Sequence, residues 1–299
     1  MGPMVRIQAQ AVLYHNDLGS IRQTLRAVAN AARYAREQRG LEIAVSMAYG
    51  DSGETPLPDE QELELWREIA GDMPVSYRHF GFNAGSAHGQ NLLAEGWDGD
   101  YVLIMNPDVK PCPDFFHQML QPFGDEKVAA VEARQCPVEH HKDYDPATGR
   151  TDWCTGACTM IRNRVFREVG GFDWKTFFLY CDDVDLSWRM KLAGYTLVYQ
   201  PHAMVYHAKE LSGEGGWMPT RAEMVYSAEA ALLMAWKWGD DKRLGQLLER
   251  FKRGGEAEKL ALQSYRKRKR EGTLPEKIRA DRRVATFTGN YYGKNRFTY

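Results

Sequence analysis

The stretch FFLYCDDVDLSWR, residues 177–189, sets Asp182, Asp183 and Asp185 directly behind a run of aromatic and apolar side chains. Carboxylates repel one another and resist burial, so their placement there needs a reason. One reason is local: acidic residues suit the first turn of a helix, where free N–H groups and the macrodipole favour negative charge. The other is chemical. Neighbouring carboxylates among aromatics raise one another's pKa by desolvation and repulsion, and a carboxylate titrating closer to neutrality is a better general base. The helix dipole acidifies the same groups, so the two effects compete.

A second acidic position is Asp108, in Asn106-Pro107-Asp108-Val109, immediately after the apolar run YVLIM. Asn-Pro-Asp is turn chemistry, yet this turn also presents a carboxylate. Hard divalent cations such as Mg2+ and Mn2+ take one or two protein carboxylates and complete their shell with substrate phosphates. FGFNAGSAHGQN, residues 80–91, carries Gly81, Gly85 and Gly89. It matches neither dinucleotide nor P-loop spacing and fits a close backbone approach leading into a helix capped near Asn83 or Ser86.

These groups need a scaffold, and the first ~110 residues supply one. VRIQAQAVLY, LEIAVSMAYG, VSYRHFGFN and DYVLIMN read as strands. Between them lie helical stretches at 20–38, 60–71 and 85–96, the first with Ile21, Leu25, Val28, Ala32 and Ala35 at helical spacing. Strand and helix in alternation predict an α/β fold with a mostly parallel sheet covered by helices on both faces. Ligands of such sheets bind at the carboxyl ends of the strands, where Tyr14–Asn16, Asp51–Gly53, Asn83–Gly85 and Asn106–Asp108 fall. From about residue 220 three helical segments follow, joined through the Gly-rich LSGEGGWMPT, which is either a lid over a ligand or a plain linker.

A chain of 299 residues with 43 % hydrophobic and 26 % charged content is an ordinary globular composition, and a net charge of −1 gives no reason to expect a nucleic-acid partner. Apolar runs fall short of the ~20 residues of a spanning helix. The N-terminus reads directly into a strand and not as a secretory leader. Five cysteines without such a leader suit a reducing, cytoplasmic location. Cys154 and Cys158 are expected as small core residues.

NAGSAHGQN, NPDV, GGFDWKTFFLYCDDVDLSWR and PHAMVYH, in this order, resemble the family 2 glycosyltransferases of GT-A fold, notably their rhamnosyl- and galactofuranosyl-transferase-like members. The resemblance runs from residue 5 to about 210. It implies a nucleotide-sugar-binding and catalytic domain over 1–215, which leaves the helical segments read above as an extension with a basic tail over 216–299. It further implies an inverting transfer from a UDP- or dTDP-linked sugar to a glycan or lipid-linked acceptor in cell-surface polysaccharide synthesis, aided by Mn2+ or Mg2+. On that basis Asp183 is the general base, Asp108 and His207 bind the metal, and Tyr14, Asp51, Asn83, Gly85, Asn106 and Asp108 meet the donor. Trp153, Asp182 and Arg189 line the acceptor or sugar pocket. The sequence departs from the family at Asn106, where an acidic residue is usual, and at Trp174, which also replaces one. It lacks QxxRW, so addition of one or a few sugars is expected. A catalytically dead carbohydrate-binding scaffold of the same fold is the alternative, and a sugar nucleotidyltransferase ranks below both. Arg266–Arg270 is either a solvated helix face or a contact for anionic head groups at the inner face of the membrane.

Overall fold

The computed structural model describes residues 4–208, 219–278, 284–289 and 291–294. β1 (Val5–Leu13), β2 (Ile43–Asp51), β3 (Val75–His79) and β4 (Tyr101–Met105) alternate with α1 (Leu18–Arg39), α2 (Glu60–Ala70) and α3 (Gly85–Ala94). Local chemistry sets the helix limits. The Asp17 carboxylate accepts from the Ser20 N–H at 2.7 Å to start α1, and Gly40, at φ +62°, ends it in the left-handed conformation. Asp59 caps α2 in the same way through the Glu62 N–H.

Beyond residue 107 the regular alternation breaks. β5 (Val109–Pro111), α4 (Phe115–Leu120), β6 (Val128–Cys136), β7 (Cys158–Arg162), α5 (Asn163–Glu168), α6 (Asp182–Leu192) and β8 (Thr196–His207) complete an eight-stranded sheet of order β3-β2-β1-β4-β7-β6-β8-β5. β7 lies antiparallel between β4 and β6, and β5 runs antiparallel along the edge of β8; the other pairings are parallel. The fold is thus mixed α/β, and the antiparallel insertion is what the strand–helix alternation of the first ~110 residues could not foretell. It matters because β7 delivers its preceding loop, residues 153–157, next to the end of β4.

Three apolar clusters hold these elements. Ile7, Leu13, Leu25 and Val28 belong to the cluster between the sheet and α1, and Val102, Ile104, Ile161 and Leu186 to the one on its other side. Removing a Leu or Ile side chain of this kind from water contributes about 1.5–3 kcal/mol. Cys154 and Cys158 are both buried, as expected of core residues.

α7 (Arg221–Lys237), α8 (Asp241–Lys252) and α9 (Glu256–Glu271) form the C-terminal helices, and a capping box between Thr220 and Glu223 starts the first of them. These helices do not own a separate core. Leu232, Leu233, Trp238, Phe251 and Leu262 share one cluster with Trp153, Phe177, Cys181, Val184 and Trp188. The Gly-rich segment with Gly213, Gly215 and Gly216, and the expected division at 215/216, lie outside the described residues.

Candidate active site

The parallel register places Leu13 opposite Asp51, and Asp51 opposite His79, so three strands end level and their loops form one rim. Tyr14 stands exposed on that rim, its ring edge-on to His15. Asp51 is different. It is 1 % exposed, and its carboxylate accepts from the N–H groups of Gly53 and Leu57, each at 2.8 Å, and from the Tyr77 hydroxyl at 2.6 Å. Those bonds hold the 52–57 loop in shape, so a ligand at this rim meets the loop that Asp51 organises before it meets the carboxylate. Asn83 is exposed and accepts from the Gly85 N–H at 3.1 Å; it makes a local turn and does not serve as the helix cap. Gly85 has φ +67°, and a Cβ there would approach the Phe178 carbonyl oxygen to 2.6 Å. Glycine is what lets α3 start against the aromatic run that leads to the aspartates.

The Asn106-Pro107-Asp108 turn closes β4. Because Val109 on β5 pairs with His207 on β8, that histidine comes beside the turn. His207 is about 5 % exposed; Nδ1 lies 2.8 Å from Gln135 Oε1, Nε2 3.2 Å from the Asn106 amide nitrogen and 3.5 Å from Asp108 Oδ1. Gln135 offers an oxygen, so Nδ1 carries the proton and the Nε2 lone pair faces the turn. A second partner that fixes the tautomer in this way is the usual support of a metal-ligating imidazole. Asp108 and His207 therefore fit a divalent cation as a two-residue donor set of one oxygen and one nitrogen. Among the described residues no His, Cys, Asp or Glu cluster of three or more could hold a metal by itself. A shell completed by substrate oxygens is the arrangement such a pair requires.

The aspartate cluster opens α6. Tyr180 and Cys181, both non-glycine, take positive φ values of +69° and +58° and turn the chain sharply into Asp182. Asp183 accepts on both sides: Oδ1 from the Val184 N–H of its own helix at 2.8 Å, and Oδ2 from the Gly156 N–H at 2.9 Å. The adjoining residue ties this point to the Asn106-Pro107-Asp108 turn, since the Asn106 N–H donates to the Ala157 carbonyl at 2.9 Å. One short segment, Gly156–Ala157, thus touches both the NPD turn and Asp183.

Burial pushes the Asp183 carboxyl above the usual carboxylate range, against the Gly156 and Val184 N–H groups and the Lys142 ammonium, which hold it down. Asp182 is pushed up to about 8, by burial first and by the charge on Asp183 second. The desolvation expected from the sequence thus outweighs, for both, the hydrogen bonds that favour the charged form. The sign of the consequence follows. A carboxyl whose folded pKa exceeds its unfolded value binds its proton more tightly when folded, so its contribution to stability is lost as pH rises from ~4 towards 8. Asp182→Asn cannot ionise. The Tm of that variant relative to the wild type should climb between pH 5 and pH 8 and level off above, as measured by thermal denaturation across pH.

Asp185 is fully buried and carries the structural load of the cluster. It accepts from Arg189 Nε at 2.8 Å, Lys237 Nζ at 2.7 Å and Trp238 Nε1 at 3.0 Å. Arg189 also donates to the Val169 and Gly171 carbonyls, at 2.5 and 2.7 Å. Its guanidinium anchors the acidic turn and the Gly170-Gly171 loop, where the sequence reading has it line the acceptor or sugar pocket. Trp153, expected to line the acceptor pocket, is 7 % exposed with the Lys142 ammonium 4.0 Å from its ring centroid. That covered ring does not offer an acceptor an open stacking face. Trp174 does stand out, 41 % exposed and stacked on His88 at 3.9 Å.

Sequence reading missed five participants. The buried Glu132–Lys142 ion pair lies behind Asp183, with burial pushing the Glu132 carboxyl up to about 7 against the pull of Lys142. Gln135 had no sequence signal. Lys237 and Trp238 did: a lone lysine inside ALLMAWKW is a charge in an otherwise apolar helix face, which calls for a buried partner.

Known proteins resemble this chain in sequence and in fold. The family described as "Glycosyltransferase like family 2" matches residues 140–218, a segment that holds the aspartate cluster and His207. An N-acetylglucosaminyl-diphospho-decaprenol L-rhamnosyltransferase of Mycobacterium tuberculosis is 37 % identical over 151 residues, covering 38 % of this chain and 49 % of that protein. This chain is related to the family 2 glycosyltransferases. It spans about half the length of that curated relative. Solved structures place the fold with GT-A glycosyltransferases. The mannosyltransferase PcManGT from Pyrobaculum calidifontis, in complex with GDP-Man and Mn2+, superposes with a TM-score of 0.56 at 16 % identity over 90 % of this chain and 72 % of its own. GalNAc-T7, solved with UDP, GalNAc and Mn2+, gives a TM-score of 0.64 at 13 % identity over 92 % of this chain and 56 % of its own. The fold expected from the sequence motifs is the fold observed.

Proposed function

We propose that this family 2 relative is an inverting glycosyltransferase, moving a sugar from a UDP- or dTDP-linked donor to a hydroxyl of a glycan or lipid-linked acceptor in cell-surface polysaccharide synthesis. The observation that carries the proposal is the Gly156–Ala157 segment, which hydrogen-bonds the NPD turn on one side and Asp183 on the other. Leaving group and base are thereby kept on neighbouring parts of one site, as a single displacement at an anomeric carbon requires. Asp183, raised in pKa and held by the Gly156 N–H, takes the proton of the acceptor hydroxyl. Asp182, whose carboxyl burial pushes up to about 8, stands beside it at the start of the same helix. Asp108 and His207 would hold Mn2+ or Mg2+, whose charge stabilises the departing nucleoside diphosphate. Mn2+ in the two structural neighbours supports that choice. Tyr14, Asn83, Asn106 and the loop shaped by Asp51 line the donor side.

Rhamnose is the sugar we favour, and a diphosphoprenol-linked N-acetylglucosamine the acceptor class, because these are the words that name the mycobacterial relative. No helix among the described residues is long and apolar enough to cross a membrane. Contact with a lipid-borne acceptor would then fall to Arg266–Arg270 at the end of α9, where four of the five side chains are exposed and Arg268 pairs with Glu229 at 3.2 Å. The cytoplasmic face of a membrane is the setting in which that basic surface works.

Thermal denaturation with UDP, GDP, dTDP and their sugars, each with Mn2+ and with EDTA, tests the reading. One nucleotide should raise Tm by about 5–10 °C at a hundredfold excess over Kd, only with the metal. Asp108→Ala should abolish that shift while leaving the unliganded Tm close to wild type. A folded protein that responds to none of these ligands would overturn the proposal.

A further inference from the structure

The turn before the proposed base is held from outside the catalytic half of the chain. Tyr180 and Cys181 sit in the left-handed region, which bulky L-residues occupy only where their surroundings impose it. The surroundings here are C-terminal. The Tyr180 hydroxyl donates to Glu223 Oε1 at 2.9 Å, and the Cys181 thiol donates to the Tyr292 hydroxyl at 3.2 Å. Phe178 packs on Tyr226 of α7, ring centroids 4.9 Å apart. Glu223 is itself fixed, because its other oxygen accepts from the Thr220 N–H at 2.7 Å in the capping box that starts α7. A single carboxylate therefore serves both the beginning of a C-terminal helix and the bend that aims Asp182 and Asp183.

We infer that Tyr180 and Glu223 form a positioning pair for the carboxylates of α6, and that the C-terminal helices are part of the catalytic apparatus and not an appended module. This rests on the reading of Asp183 as the base. With the Tyr180–Glu223 bond in place, the bend cannot relax towards a commoner backbone geometry, and the Asp183 carboxylate keeps its place beside Gly156. Without it the bend relaxes, and small displacements of a catalytic group lower the rate steeply.

Three variants separate this role from plain stability. Tyr180→Phe deletes only the hydroxyl. Glu223→Ala removes the acceptor, and Glu223→Gln keeps an oxygen there. Rates are measured with dTDP-rhamnose and an N-acetylglucosaminyl diphosphoprenol, alongside hydrogen exchange of the 177–186 backbone in the ligand-free protein. Tyr180→Phe and Glu223→Ala should each lower kcat by about tenfold or more with the donor KM unchanged, and should speed exchange in 181–186 without affecting β1–β4. Glu223→Gln should recover most of the rate. Unaltered exchange in Tyr180→Phe overturns the proposal whether or not that donor is the right one. So does an unaltered kcat, or a loss of kcat that Glu223→Gln does not recover and that follows a general fall in Tm and rise in donor KM. Asp183→Asn run in parallel distinguishes the two readings. If it transfers at the wild-type rate, the base assignment fails and this inference with it. If it is inactive while Tyr180→Phe behaves as wild type, only the positioning pair fails.

Discussion

Asp183→Asn should lower sugar transfer by about a thousandfold, the middle of the range general bases contribute, while leaving metal-dependent nucleotide binding intact. The substitution is well suited to isolate chemistry from structure. The asparagine carbonyl oxygen can still accept from the Gly156 N–H, so the 2.9 Å tether to the 153–157 loop survives. What disappears is the ability to take a proton. The pH dependence of the wild type should carry the same information. A base must be ionised, so kcat/KM falls as pH drops through the Asp183 pKa, and burial places that limb above the ordinary aspartate value of ~3.9. Steady-state rates between pH 4 and 9 would show an acid limb displaced upward and absent from the residual activity of the variant. Transfer that survives in Asp183→Asn with an unchanged limb would move the base elsewhere. Nucleotide binding without any turnover in the wild type would favour a carbohydrate-binding scaffold built on the same fold.

How much of this could be read before the fold was known depends on how local each cause is. β1 to β4 and their helices follow from period and capping, both of which act within a few residues, as Asp17 and Gly40 do at the two ends of α1. The second half of the sheet does not. β7 lies between β4 and β6 in reverse orientation, and no short-range pattern in CTMIR states which neighbours it will find. The site divides in the same way. Asp183, Asp108 and His207 sit in quotable motifs, and the fold brings the latter two to 3.5 Å through the Val109–His207 register. Asp51 was legible as a polar residue at a strand end, but its engagement by Gly53, Leu57 and Tyr77 is a tertiary fact. Trp153 shows the limit most plainly: whether an indole is a platform or a core residue depends on what covers it, and Lys142 lies 11 residues away in sequence.

The largest stability effect should come from Lys237→Met, at about 3–5 kcal/mol, because it strands the buried Asp185 carboxylate and unpairs the half-buried Asp173. The Lys237 ammonium is 7 % exposed and reaches Asp173 and Asp185 at 2.7 Å each. Asp185 is fully buried, so its charge cannot turn to water when that partner goes. Arg189 and Trp238 remain and satisfy part of it, which keeps the loss within the range for a broken buried pair. Methionine fills nearly the same volume, so the cost is electrostatic and not a cavity. A double variant, Lys237→Met with Asp185→Asn, should recover a large share by removing the stranded charge, and urea denaturation of the four proteins gives the coupling directly. Asp173 and Asp185 flank the aromatic run and the Asp182-Asp183 pair, and the lysine joining them comes from α7. Loss of this one cation should therefore loosen the C-terminal helices and the Asp182-Asp183 turn together, in a single cooperative transition displaced to lower denaturant. Two separate transitions, with the turn region unaffected, would mean that the shared cluster of Trp188, Trp238 and Phe177 holds the two parts together without the charge.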